Sequence, residues 1–288
     1  MNVIERCKPL LGTYVEVFVK GLYSDKVLID IGNKIYKEIS IIQNIMSYHD
    51  DNSELTYINN NAYYHECIIS QEMSYIINHC LDLSKLTNGL YDISIAGSLI
   101  DNDFLPNRAH NLDRSASYKD IVVKDNRIKF SKMLQIDLGG VAKGYALDKA
   151  LSAFNRGDIN GVDVIINAGG DIIMSNWSGK IANIKVKINN RFELIPVEMK
   201  NAAIATSASY YFDNNKNPII SPLTRKMIKD KRVVSVFSPS CMIADSLTKV
   251  AFLDYNNYKK IFNKYDSDLT LHDESDFSGK NQNIFKEN

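Results

Sequence analysis

A chain of 288 residues has ample length to bury a core, as one large domain or two small ones, and at 45% hydrophobic and 24% charged it has a globular composition. Lys+Arg and Asp+Glu are equal at 34 each, so no global field favours nucleic acid or an anionic membrane surface. Cys7, Cys67, Cys80 and Cys241 show no C-x-x-C pairing, which argues against a zinc site or a disulfide framework, and neither a long apolar run nor a basic leader is visible, so a cytoplasmic protein without membrane insertion is expected.

Residues 14–19 read as a strand preceded by the turn Leu11-Gly12-Thr13. Ser24 or Asp25 caps a long amphipathic helix in which Val27, Leu28, Ile31, Ile35, Ile39, Ile42 and Met46 recur at helical spacing. That stripe is core. A polar loop over residues 46–55 ends the helix, and Ser53 caps a short helix leading to Asn59. His49, in the loop, is either a ligand contact or a solvated histidine. Residues 71–88 predict another helix, with Met73, Ile76, Ile77, Cys80, Leu81 and Leu83 inward and Gly89 just past its end. Residues 98–118 are polar and contain Pro106, which predicts a long surface excursion. Residues 121–123 and 127–130 predict a hairpin about Lys124-Asp125-Asn126.

The most informative stretch is Ile136-Asp137-Leu138-Gly139-Gly140-Val141-Ala142-Lys143-Gly144. Residues 133–137 read as a short strand, the glycine pair as a tight turn, and Val141 onward as a helix start. The free N–H groups of a first helical turn form an anion site reinforced by the dipole. Lys143 adds a cation where the dipole disfavours one, a penalty that a phosphate would reverse. Asp137 is suited to a hydroxyl, a nucleobase edge or a cation. Taken alone, paired glycines after a strand are most often only a turn.

Residues 163–166 predict a buried strand that delivers Asn167-Ala168-Gly169-Gly170-Asp171, which is either a second ligand loop or a hairpin bend. Residues 181–188 and 191–199 predict a hairpin around Asn189-Asn190. Residues 202–205 lead into Thr206-Ser207-Ala208-Ser209-Tyr210, whose hydroxyls contact phosphate or cap a turn. A loop over 218–225, a strand over 233–237 and a helix over 242–253 follow, and the chain after Lys264 reads as a polar tail. Long helices with antiparallel hairpins and no G-x-G-x-x-G fingerprint indicate an α+β fold.

In this order, seven segments resemble the ApbE-type flavin transferases, which move FMN from FAD onto a protein hydroxyl. They are Leu11-Gly12-Thr13; Met46-Ser47 through Ser53-Glu54 and Asn59; Gly89-Leu90-Tyr91-Asp92; the 136–144 stretch; Asn167-Ala168-Gly169-Gly170-Asp171; Ala205-Thr206-Ser207; and Ala244-Asp245-Ser246-Leu247. The resemblance implies a single α+β, T-fold-related domain over residues 1–263, with antiparallel sheet and packed helices, and a tail over 264–288. It implies FAD contacts at Leu11, His49, Leu90, Tyr91, Asp92, Asp137, Lys143 and Thr206. It places Mg²⁺ on the Gly140 carbonyl, Asp245 and Thr248. Asp245 is also the candidate catalytic base, AMP the leaving product, and the partner an acceptor flavoprotein with a Ser/Thr motif.

Five positions depart from the family pattern. Ala208 replaces a glycine. Pro218, Ser221 and Arg225 replace the histidine, aspartate and glycine of the His-x-x-Asp-Pro-x-Thr-Gly stretch that many members carry. Lys249, one turn after Asp245, replaces a metal-binding threonine; there it can stand in for a cation, or form an ordinary surface salt bridge. The alternatives these departures raise are a non-catalytic FAD-binding protein and an FAD pyrophosphatase giving FMN and AMP.

Overall fold

The computed structural model describes residues 1–108, 111–155, 160–188, 191–208, 218–228 and 232–272. The expected turn at Asn189-Asn190, Ser209, Tyr210 and the end of the tail lie outside the described residues. In chain order the elements are β1 (Asn2–Leu10), β2 (Thr13–Gly21), α1 (Asp25–Met46), α2 (Glu54–Asn61), β3 (Cys67–Ile68), α3 (Gln71–Leu86), α4 (Ala96–Asp101), β4 (Ile121–Lys124) and β5 (Arg127–Phe130). Then come α5 (Ala142–Asn155), β6 (Val162–Ala168), β7 (Asp171–Met174), β8 (Ile181–Ile188), β9 (Arg191–Glu198), β10 (Ala203–Ala208), β11 (Val233–Ser238), α6 (Cys241–Lys264) and β12 (Asp268–His272). The chain divides into unit 1 (Met1–Gln43, Lys143–Tyr211, Lys231–Asn288) and unit 2 (Asn44–Ala142, Phe212–Asp230).

Unit 1 is built on a seven-stranded sheet of order β1-β2-β6-β7-β10-β11-β12, antiparallel at every pairing. In β2 the buried side chains are Val15, Val17 and Val19, the period-2 pattern of a strand with one covered face. The Tyr36 hydroxyl on α1 donates to the Arg6 carbonyl at 2.7 Å, tying the helix to β1. The α1 stripe read from the sequence is buried at Leu28, Ile31, Ile35, Ile39, Ile42 and Met46. β11 is buried along its whole length. Val233 and Phe237 join Ala182, Ile184 and Val186 of the β8–β9 hairpin in one apolar cluster, while α6 packs on β10 and β11. The turn Gly169-Gly170, with φ of 65° and 105°, joins β6 to β7 as a two-residue hairpin bend that L side chains would strain. Of the two readings of this segment, the hairpin bend is the one observed.

Unit 2 carries α2, α3, α4 and a three-stranded sheet of order β3-β5-β4. Ser53 caps α2 as expected, accepting from Thr56 N at 3.0 Å, and Ser70 caps α3 by accepting from Met73 N at 3.1 Å. The Glu54 carboxylate accepts from Ser70 N at 2.5 Å and from Ser70 Oγ at 2.7 Å, joining the two helix starts.

Three expectations are corrected. Residues 133–137 do not form a strand, because the Asn59 amide takes the partner strand's place: Ile136 N donates to Asn59 Oδ1 at 2.8 Å and Asn59 Nδ2 donates to the Ile136 carbonyl at 2.9 Å. The supposed excursion over 98–118 begins inside α4, where Ser98, Leu99 and Ile100 are buried. The chain after Lys264 contributes β12, paired with β11.

Candidate functional site

In unit 1, Lys143 in the first turn of α5, Asp171 at the start of β7, and Asp245 and Lys249 in the N-terminal half of α6 form a cluster of charged side chains. The two helices approach so closely at Gly144 that a Cβ there would collide with the Cys241 carbonyl oxygen and lie 2.7 Å from Met242 N. Gly144 is thus a packing requirement, not an anion cradle. The α6 N-terminus is already capped: the Asp148 carboxylate accepts from Cys241 N at 2.7 Å, Met242 N at 2.9 Å and Ser240 Oγ at 2.6 Å. With those amides satisfied, the chemistry of this region falls to its side chains.

Four of them converge. Lys143 Nζ lies 3.3 Å from Asp171 Oδ2 and 3.8 Å from Asp245 Oδ2. Lys249 Nζ donates to Asp245 Oδ1 and, at 3.2 Å, to the Asp245 carbonyl. Asp171 and Asp245 are 3% and 1% exposed, so neither carboxylate is solvated, whereas the two lysine side chains keep 29% and 23% exposure and can reach a ligand. Asp171 Oδ2 has its ammonium neighbour but no hydrogen bond of good geometry.

The electrostatics follow from this crowding. Burial alone would lower the Lys143 pKa, but the Asp171 and Asp245 carboxylates outweigh it and raise it above the usual lysine range. Burial pushes Asp171 up to about 6 against the pull of Lys143. Burial also opposes ionisation of Asp245, yet Lys143 and Lys249 together hold that carboxyl below its ordinary value. The Thr248 hydroxyl donates to the Asp245 carbonyl at 2.7 Å and shares a 2.8 Å hydrogen bond with Ser207 Oγ.

The expected site residues are distributed over both units. Lys143, Asp245 and Thr248 belong to the unit 1 cluster. Thr206, its neighbour on β10, instead bonds Ser235 Oγ at 2.9 Å. Leu11 sits in the β1–β2 turn at φ 56°, its N–H donating to Gln43 Oε1 at 2.5 Å. In unit 2, Leu90 and Tyr91 are buried, with the Tyr91 hydroxyl 3.6 Å from Cys80 Sγ. Asp92 accepts from Ser94 N at 2.8 Å and Tyr118 N at 2.9 Å, and its burial raises its pKa. Asp137 accepts from Gly139 N at 3.0 Å, closing the glycine turn that contains Gly140. His49 is exposed; its carbonyl accepts from Arg108 Nη2 at 2.9 Å. The sequence assigns Asp148 no role, Asp171 only the end of a ligand loop or bend, and Ser207 only a place among several hydroxyls for a phosphate or a turn. The available signal for Asp171 was a carboxylate opening the wholly apolar run of β7, a placement that is costly without a partner.

A divalent cation needs oxygen lone pairs turned towards it and excess negative charge around it. Asp245 Oδ1 and its carbonyl instead face the Lys249 ammonium, Asp245 Oδ2 faces Lys143, and Thr248 Oγ1 is engaged twice. Two ammoniums balance two carboxylates. As arranged, these donors do not fit Mg²⁺, and among the described residues no group of three His, Cys, Asp or Glu side chains is placed to hold a metal.

A broad antiparallel sheet with packed helices makes this an α+β protein, and four charged side chains of α5, β7 and α6 converge in it. The sequence signature of the ApbE family matches residues 11–270, and the chain belongs to that family. In fold it is similar to the ApbE protein of Thermotoga maritima, with 23% identity, a TM-score of 0.79 and 94% of each chain covered. It is similar also to the flavin transferase ApbE of Vibrio cholerae, at 20% identity and a TM-score of 0.78 over 94% of this chain and 93% of that one. The flavinyl transferase ApbE of Pseudomonas stutzeri matches at 16% identity and 0.76, covering 94% and 90%. No curated protein matches the chain. Among the described residues, no helix is long and apolar enough to cross a membrane.

Proposed function

We propose that the chain is an FAD:protein FMN transferase that moves FMN from FAD to a Ser or Thr hydroxyl of an acceptor flavoprotein and releases AMP. The observation that carries this reading is the buried Lys143–Asp171–Asp245–Lys249 cluster in a member of the ApbE family. Its two partly exposed ammoniums suit an anionic substrate group, here the pyrophosphate of FAD.

The acceptor oxygen attacks the FMN phosphorus in line, the new P–O bond forms, and the bond to the AMP phosphate oxygen breaks. Lys143 counters the charge that builds on the leaving phosphate. The hydroxyl proton passes to a carboxylate of the cluster. Asp171, whose Oδ2 lacks a hydrogen bond, is available for it, while Asp245 anchors both lysines. Pro218 and Arg225 leave residues 218–225 without a histidine, which favours a second reading, FAD binding without transfer.

Chromatography of AMP and FMN after incubation with FAD, with and without an acceptor protein bearing a Ser/Thr flavinylation motif, separates these readings. Transfer gives AMP only with acceptor, together with covalently labelled acceptor. FMN and AMP without acceptor indicate hydrolysis, and intact bound FAD indicates the non-catalytic protein.

A further inference from the structure

We propose that the Lys249 ammonium takes the place of a divalent cation at Asp245, so that this chain holds the pyrophosphate of FAD without a metal. The inference rests on FAD being the substrate. Three observations support it. Lys249 is no solvated surface partner, since the carboxylate it pairs with is 1% exposed and it contacts both Oδ1 and the carbonyl of that residue. Those are the oxygens, together with the Thr248 hydroxyl, that a cation at this helix turn would need. Without Lys249 the cluster would carry Asp171 and Asp245 against Lys143 alone, one negative charge in excess, the condition that attracts a hard cation. Lys249 removes that excess.

The ammonium also remains usable. It spends two of its three hydrogens on Asp245, and its side chain is 23% exposed, so one N–H can turn to a phosphate oxygen without breaking the ion pair. A metal-free site of this kind pre-organises its charge on a helix turn.

The test is FAD binding to the whole chain, read by flavin fluorescence in EDTA and again in excess Mg²⁺, with Mn²⁺ binding read separately by paramagnetic resonance. For the native protein the two affinities should agree within about twofold and Mn²⁺ should not bind the cluster. Lys249→Thr restores the negative excess and should lose about ten- to a hundredfold in FAD affinity in EDTA, the range of one charge-assisted hydrogen bond, recovering it with Mg²⁺. Lys249→Arg keeps the charge and should stay independent of metal, and circular dichroism checks that both variants fold. Native FAD binding that collapses in EDTA and returns with Mg²⁺ overturns the inference while leaving the transferase reading intact. A Lys249→Thr variant that binds FAD equally with and without Mg²⁺ also overturns it. No FAD binding under either condition removes the transferase reading, and the inference with it.

Discussion

Units 1 and 2 both bury aspartates, but they solve the problem with different partners. In unit 2, Asp92 is held by the backbone N–H groups of Ser94 and Tyr118, donors fixed by the fold itself. In unit 1, Asp171 and Asp245 are held chiefly by the ammoniums of Lys143 and Lys249, donors at the ends of flexible stems. A carboxylate tied to backbone amides orders a turn and cannot exchange its partner cheaply. A carboxylate tied to lysine can share that lysine with an incoming anion. Asp148 shows that the distinction lies in the partner and not in the unit, because it too is held by backbone amides and caps α6.

The largest effect that sharpens this contrast is expected at Lys143. Lys143→Met should reduce AMP release with acceptor by about 10²- to 10³-fold, the usual cost of removing one electrostatic stabiliser of a transition state. It also leaves Asp171 and Asp245 facing Lys249 alone, and thermal unfolding should show a loss of about 3 kcal/mol. An unchanged rate would break the comparison outright. Next in size is Gly144→Ala, which drives a methyl group into the Cys241 carbonyl at the crossing of α5 and α6. Unfolding should report a loss of about 2–3 kcal/mol from overpacking. Asp92→Ala strips the cap from Ser94 and Tyr118 and should cost about 2 kcal/mol in the same assay. If it leaves stability intact, backbone capping is not the role of Asp92.

How far these features were readable depends on whether their cause is local. α1 and α3 were legible because an apolar residue every third or fourth position is itself the signal of a helix with one buried face. β1 was not: it is an edge strand whose exposure alternates, but its half-buried face carries Ile4, Arg6, Lys8 and Leu10, so no apolar alternation marks it in the sequence. β12 was hidden for a different reason: Asp268-Leu269-Thr270-Leu271 does alternate, but over five residues at the start of a polar stretch, and the antiparallel pairing with β11 is not visible in the sequence. The missing strand at 133–137 turned on one distant amide, Asn59. In the site, the Asp245–Lys249 pair was visible as an i,i+4 spacing on one helix. The Lys143–Asp171 pair joins a helix to a hairpin, and only the fold reveals it.

The smallest predicted effect concerns pH and sets one buried group of each unit against the other. In unit 2, burial lowers the His79 pKa from 6.5 to about 4, so the folded chain keeps a neutral ring where the unfolded chain takes up a proton. Its contribution is complete above pH 6.5 and is lost as pH falls towards 4. In unit 1, burial raises Asp171 from 3.8 to about 6, so its folded form retains a proton that the unfolded chain has released. That contribution is present at low pH and is lost as pH rises from 3.8 through 6. The two contributions oppose each other between pH 4 and 6. His79→Gln removes one arm, so stability measured by denaturant titration should fall relative to the native chain by about 1–2 kcal/mol as pH rises across that window. A difference between variant and native that stays constant with pH would mean that the His79 ring takes up its proton in the folded chain as readily as in the unfolded one.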